Sequence, residues 1–403
     1  MKNRRQYINI LLEFLDKDVI KVVMGIRRCG KSTLLKLFAA ELKKLKIPDK
    51  NIIYINFESM KYRDIVDCDL FYDYIVNSVP KSGKTYLLVD EPQNVTGWEK
   101  AINSFKVDFD CDIYITGSNA KLLSSELSTL ISGRYVEIEM YPLSYAEFLE
   151  FHEAENDDKA FQSYLKFGGF PSIVELGENV DRVNDILDGI YNTVIVKDVL
   201  SRNSIKDEEM LQRIVAFLAD NIGNPVSANS IANSLASMKR IESAKNNPAA
   251  STVENYIGAL KKAFVFYEAK RYDIKGKQLL KTLGKYYIVD TGLRNMLLGY
   301  RDADRGHILE NVVFMELKRR GYEVYIGKID EKEVDFIAEK ASHKMYVQVC
   351  ETLGDENTLK RELAPFMAIQ NNYEKIIITN DKTFVESYEG VKVRNIADWL
   401  SSV

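Results

Sequence analysis

The sequence predicts an α/β fold: a parallel sheet flanked by helices, a helical connector, and a second half of mixed helix and strand. Three observations carry this. Short β-branched runs alternate with helical stretches through the first 140 residues. A glycine-rich turn, Gly25 to Ser32, separates the first such run from the first long helix. Beyond residue 220 the pattern changes to basic helices and hairpin-like strands, then to a further strand series.

The elements follow in order. Residues 19–24 (VIKVVM) read as a buried strand, and a helix runs from Lys31 to about Leu45. Residues 52–57 form a strand, 69–79 a helix, and 85–90, 111–117 and 135–140 three more strands. From 144 to 220 the pattern is mostly helical, broken by Gly168-Gly169-Phe170-Pro171. After residue 300 come a helix (310–321), strands near 322–326, 333–339 and 344–350, another helix, and a strand at 375–379. The expected divisions are a core at 1–155, a lid and connector at 156–220, a winged-helix-like segment at 221–300 and an α/β domain at 301–403.

Composition narrows the class. With 46% hydrophobic and 28% charged residues in 403, the chain reads as a soluble multi-domain protein. A net charge of −4 excludes wholesale polyanion binding, so any DNA affinity needs a local patch. The four cysteines are scattered, without a CxxC pair, as expected of a reducing, cytoplasmic setting. The N-terminus reads as an amphipathic helix, and no apolar run reaches about 18 residues, so no membrane contact is expected.

Gly25-Ile26-Arg27-Arg28-Cys29-Gly30-Lys31-Ser32 matches GxxxxGK[ST] between a strand and a helix, the context a P-loop requires. The glycines let backbone amides wrap phosphate, with Thr33 at the opening of the helix. Lys31 is expected to reach the β- and γ-phosphates of ATP, and the Ser32 hydroxyl to ligate Mg²⁺. A strand ending in Asp90-Glu91 supplies a second Mg²⁺ ligand, Asp90, and a general base, Glu91. Ser118 and Asn119, after a strand expected between these two, either meet the γ-phosphate and attacking water or cap a turn. Arg134, after Gly133, is either a solvated strand-end residue or a charge-neutralising arginine.

With these motifs in place the chain resembles the prokaryotic AAA-type P-loop NTPases fused to a C-terminal domain of unknown function. GIRRCGKST, VDEPQNVTGWEK, TGSNAKLLSSEL, ISGRYVEIEMYPLSYAEFL, FGGFP and YIVDTGLRN carry the likeness across nearly the whole chain. The resemblance implies an ATPase core, a winged-helix-like segment and a nuclease-like end. It gives Lys31, Ser32, Asp90 and Glu91 the roles above. It makes Arg134 an arginine finger or sensor, and places Gly169 and Pro171 in a lid near the nucleotide.

Residues 231–300 hold twelve Lys or Arg and five Asp or Glu, a local charge of +7. Helix Ser251–Ala263 and a basic wing at 270–281 would suit a major groove, making 239–285 the candidate surface for double-stranded DNA. A solvated basic face, or a protein-binding winged helix, is the other reading. The last hundred residues resemble restriction-type nucleases. Glu310 and Asp335 fit two metal-binding places, but Gln348 and Cys350 stand where an acid and a lysine belong. An amide is a poor ligand for a hard divalent cation, so no cleavage is expected. The expected function is an ATP-driven switch acting on DNA or a protein partner. The alternatives are an ATP-gated DNA-binding regulator without significant turnover and a protein-interaction scaffold. Action of Arg134 between subunits would make the protein a homo-oligomer.

Overall fold

The computed structural model describes residues 2–120, 134–176, 179–200, 205, 207–239, 248–280, 283–382 and 385–402. Gly133, most of the TGSNAKLLSSEL run and the basic residues Arg240, Lys245 and Lys281 lie outside the described residues. The chain forms two compact units. One is Met1–Tyr141 with Lys262–Phe264; the other is Pro142–Lys261 with Val265–Val403. The segments expected at 156–220, 221–300 and 301–403 belong to the second, apart from Lys262–Phe264.

In the first unit α1 (Arg5–Glu13) leads into β1 (Ile20–Met24), then α2 (Lys31–Lys44), β2 (Ile52–Asn56) and α3 (Cys68–Ser78). There follow β3 (Thr85–Asp90), α4 (Trp98–Asp108), β4 (Cys111–Gly117) and β5 (Tyr135–Glu139). The strands form one parallel sheet in the order β2-β3-β4-β1-β5. Every residue of β1, β3 and β4 is buried, as a sheet covered on both faces requires. The polar Lys21 is accommodated because it pairs with buried Asp112, which also accepts from Tyr114 Oη at 2.8 Å. The insertion of β4 between β1 and β3 puts a change of winding direction there, and sheets of this kind take ligands at the carboxyl ends of the strands beside such a change.

The second unit begins with α5 (Tyr145–His152), α6 (Asp158–Phe167), α7 (Val180–Thr193) and α8 (Glu208–Asp220). Ser144 and Glu147 form a capping box that starts α5. Next come β6 (Pro225–Val226), α9 (Ala228–Lys239), α10 (Ala250–Lys262), β7 (Phe266–Ala269), β8 (Arg271–Asp273), β9 (Gln278–Leu279) and β10 (Gly284–Ile288). These strands include the antiparallel sheet β6-β10-β7, with α9 and α10 between its first two strands in sequence.

The stretch expected to be a projecting wing does something else. Its first strand, β8, pairs in parallel with β11 (Glu323–Ile329), and β9 extends that edge. The reason is a row of backbone groups on β11 that would otherwise be unpaired. The Tyr272 ring also lies 6.0 Å from that of Tyr325, tilted by 40°, and Ile274 packs against the larger sheet's core.

That larger sheet has eight strands in the order β15-β16-β14-β13-β12-β11-β8-β9, adding β12 (Lys332–Lys340), β13 (His343–Cys350), β14 (Glu374–Thr379), β15 (Ser387–Tyr388) and β16 (Val391–Asn395). Between β10 and β11 lie α11 (Thr291–Leu298) and α12 (Arg305–Arg319); α13 (Glu356–Met367) precedes β14, and α14 (Ile396–Ser401) ends the chain. Strands β11, β12 and β13 are antiparallel, and β14 joins β13 in parallel across α13.

Candidate functional site

The register of the first sheet sets the site. Asn56 at the end of β2 lies beside Asp90 at the end of β3, and Met24 at the end of β1 beside Gly117 at the end of β4. The Gly25–Ser32 loop, Asp90-Glu91 and Ser118-Asn119 therefore leave the sheet at one edge.

The loop's glycines are required by geometry. Gly25 has φ +147°, and a Cβ there would overlap the carbonyl oxygen of Met140. Gly30 precedes α2 with φ +108°. Ile26 and Cys29 are buried, so they anchor the loop from beneath, while Arg28 and Thr33 are exposed. Lys31 is 5% exposed, and its ammonium donates to the carbonyls of Gly25 at 2.8 Å and Ile26 at 3.0 Å. Arg27 leans outward to Glu58, 2.8 Å away. Buried Arg4, from the segment before α1, donates to the carbonyls of Cys29 and Tyr141 at 3.2 and 2.7 Å, tying the loop to the chain after β5.

Asp90 is fully buried and well supplied with donors. Asn56 Nδ2 lies 2.7 Å and Tyr54 Oη 3.2 Å from its Oδ2, while Thr116 Oγ1 donates to Oδ1. Thr116 Oγ1 also accepts the Glu91 N–H at 3.2 Å, linking both acids to β4. Glu91 takes a left-handed conformation, φ +54°. Its Oε2 accepts from Gln93 Nε2 and, at 3.5 Å, from Ser118 Oγ. Burial pushes the Glu91 carboxyl above the usual carboxylate range, and the nearby Lys31 and Arg27 oppose that rise. Ser118 and Asn119 are both buried at the same edge.

Arg134 does not join this constellation. Its carbonyl accepts from Ile20 N–H at the start of β1, and β5 runs parallel to β1 from Tyr135 beside Ile20 to Glu139 beside Met24. That is the opposite edge of the sheet, about 13 Å along the strand from the loop. The exposed Arg134 cannot reach a phosphate held by its own Lys31. Sequence reasoning also passed over Asn56, Tyr54, Thr116 and Arg4. Thr116 sits inside a motif that it had singled out; the others carry no local signal.

An AAA domain family model matches residues 17–149, and a domain of unknown function (DUF8612) matches residues 158–304. An uncharacterized protein of Haemophilus influenzae is 44% identical over 405 residues, covering 99% of this chain and 98% of its own length. The chain belongs to this family. An uncharacterized protein of Methanocaldococcus jannaschii is 31% identical over 389 residues, spanning 91% of this chain and 83% of itself. An N-terminal ATP-binding AAA-type module is thus fused to a domain of unknown function in this family member. Among solved structures, the Aeropyrum pernix ORC2 protein in ADPNP–ADP complexes aligns with a TM-score of 0.45 at 11% identity, over 80% of this chain and 95% of that one. The Thermotoga maritima RuvB Holliday junction branch migration motor aligns with a TM-score of 0.34 at 18% identity, over 66% and 88%. Likenesses of that size do not extend to function.

In the second unit, two motifs of the sequence meet. Asp290 caps α11 and accepts the Gly169 N–H at 2.7 Å and the Leu293 N–H at 3.2 Å. Asn295 Nδ2 donates to the carbonyls of Leu165 and Lys166 at 3.0 and 2.9 Å. FGGFP and YIVDTGLRN therefore form one joint between α6 and α11. The basic segment is also rewired. Lys261 pairs with Glu268, Arg271 with Glu333, Lys275 with Asp330, Lys285 with Glu310 and Glu333, and Arg294 with Asp304. Four of those acids lie outside 231–300, so the +7 of that window overstates its field. No helix among the described residues is long and apolar enough to cross a membrane.

Proposed function

We propose that this protein is a Mg²⁺-dependent ATPase in which turnover resets a conformational switch acting on DNA or a protein partner. The observation that supports it is the meeting of Lys31, Asp90 and Glu91 at one edge of the sheet, with Thr116 bonded to both acids' residues. The donor set fits the metal: Asp90 and the Ser32 hydroxyl are hard oxygen ligands of the kind Mg²⁺ takes beside phosphates. Bound there, Mg²⁺ supplies charge neutralisation to the β- and γ-phosphates.

The chain's own residues do the rest. The amides from Ile26 to Thr33 cradle phosphate, and Lys31 exchanges its loop carbonyls for phosphate oxygens. Glu91 accepts a proton from the attacking water, while Ser118 and Asn119 orient that water or the γ-phosphate. Arg134, too far from its own site, acts on a neighbouring subunit's nucleotide in a homo-oligomer. The C-terminal sheet is nuclease-like without cleavage. In support, helix, three antiparallel strands, helix and parallel strand follow in that order, and Gln348 spends its amide oxygen on Asp335 N–H at 3.3 Å.

The deciding assay is ATP turnover of the full chain with and without double-stranded DNA. We expect turnover that Glu91→Gln lowers by roughly 100-fold or more with ATP binding retained. Arg134→Ala should also lose turnover, and regain part of it when mixed with Lys31→Ala subunits. A Glu91→Gln protein that turns ATP over normally would sink the hydrolytic reading. Stimulation by DNA assigns the switch to DNA; its absence assigns it to a protein partner.

A further inference from the structure

The acidic pocket of the nuclease-like sheet holds a cation of its own. Lys285 reaches it from β10, the central strand of the β6-β10-β7 sheet. Its side chain is 5% exposed, and its ammonium lies 3.1 Å from Glu310 Oε1 on α12 and 2.8 Å from Glu333 Oε1 on β12. Tyr287, two residues along the same strand, donates to that same Glu310 oxygen at 2.6 Å. Arg271 lies 3.7 Å from Glu333 on its other oxygen. Asp335, the third acid, accepts the Val349 N–H at 2.8 Å, and burial together with Glu310 raises its pKa well above the usual carboxylate range.

The charges then pair off. Two cations, Lys285 and Arg271, face two carboxylates, Glu310 and Glu333. Asn311, next to Glu310, adds a two-way backbone bond to Ile288 of β10 at 2.8 and 2.9 Å. Glu310, which a nuclease would direct at a metal, is here turned toward Lys285 and Tyr287 of the neighbouring sheet.

We propose that Lys285 is a built-in replacement for the pocket's divalent cation, converting a would-be metal site into a joint that fixes the β6-β10-β7 sheet to α12 and β12. This deepens the reading of a cleavage-inactive nuclease-like domain and explains how the chain tolerates Gln348 and Cys350. With an ammonium already neutralising Glu310, the sheet needs neither a third metal-binding acid nor a lysine on β13. It also withdraws Lys285 from any DNA-binding face.

The test is thermal unfolding of the nucleotide-free full chain with and without millimolar Mn²⁺. Lys285→Met leaves Glu310 buried beside Glu333 without its partner, which should lower Tm by roughly 5–10 °C. Mn²⁺ should recover much of that loss in Lys285→Met and leave the wild-type Tm in place. The double variant Lys285→Met/Glu310→Gln restores the charge balance, so its Tm should approach wild type without Mn²⁺. That variant decides the matter if the single one does not fold. A wild-type Tm that rises with Mn²⁺ and ceases to do so in Glu310→Gln would overturn the proposal. So would a double variant no more stable than Lys285→Met. Neither result touches the inactive-nuclease reading, which falls only if the wild type cuts DNA with Mn²⁺ and Asp335→Ala does not.

Discussion

Glu91 carries two constraints that a surface glutamate does not. Its backbone is left-handed, a conformation that costs a non-glycine residue of order 1 kcal/mol, and the residue is only 6% exposed. Thr116 holds the backbone through the Glu91 N–H, while Gln93 and Ser118 hold one carboxylate oxygen. Burial raises the carboxyl's pKa, with Lys31 and Arg27 pulling the other way. Only the ionised form can take a proton from water. The acid limb of the turnover–pH profile should therefore stand above the ordinary glutamate range, with activity lost as pH falls through it. Gln93→Ala removes a donor to the charged form and should move that limb further up while leaving KM for ATP unchanged. An acid limb in the ordinary glutamate range in both proteins would assign the general base elsewhere.

At the scale of elements, the strand–loop–helix unit around Lys31 was legible because its information is local. An apolar run, two glycines and a helix pattern sit within 25 residues, and periodicity reports all three. The joint between α6 and α11 was not, because Gly169 and Asp290 are 121 residues apart and meet only when the chain folds. The resemblance put FGGFP in a lid, but neither it nor the glycines say what the turn packs against. Here the need is steric as well as conformational. Gly168 has φ +77°, and any Cβ would run into the Asp290 carboxylate. Gly168→Ala should destabilise the second unit by about 2–5 kcal/mol, from backbone strain and overpacking together, measured by urea unfolding. The same carboxyl predicts a pH effect. Burial pushes the pKa of Asp290 up to about 6 from 3.8, against the backbone N–H groups that favour its charge. The folded state binds the proton more tightly, so this contribution is full below pH 3.8 and is lost as pH rises through about 6. Asp290→Ala should flatten the stability–pH slope over that window, at the cost of the cap.

The whole molecule corrects a habit of reading charge along the sequence. Counted in a window, residues 231–300 look like a polyanion-binding surface. Counted in space, Lys275, Lys285, Arg271 and Arg294 belong to acids supplied by Asp330, Glu310, Glu333 and Asp304. Pairing of this kind cannot be seen in a window, because the hairpin β8–β9 joins a sheet whose other strands come some 50 residues later. Lys262, Lys270 and Lys277 remain exposed, so phosphate contacts from the described part of the segment number about three rather than twelve. Counterion release then sets the salt dependence of DNA binding, at about −0.9 per neutralised phosphate. A double-stranded oligonucleotide should bind with a log–log salt slope between about −3, from these three, and about −6, if Lys239, Arg240, Lys245 and Lys281 also meet phosphate; Lys270→Ala/Lys277→Ala should reduce it by about two units. A slope steeper than about −8 would exceed what Lys262, Lys270, Lys277, Lys239, Arg240, Lys245 and Lys281 can supply together, and would mean that paired cations let go of their acids to meet DNA.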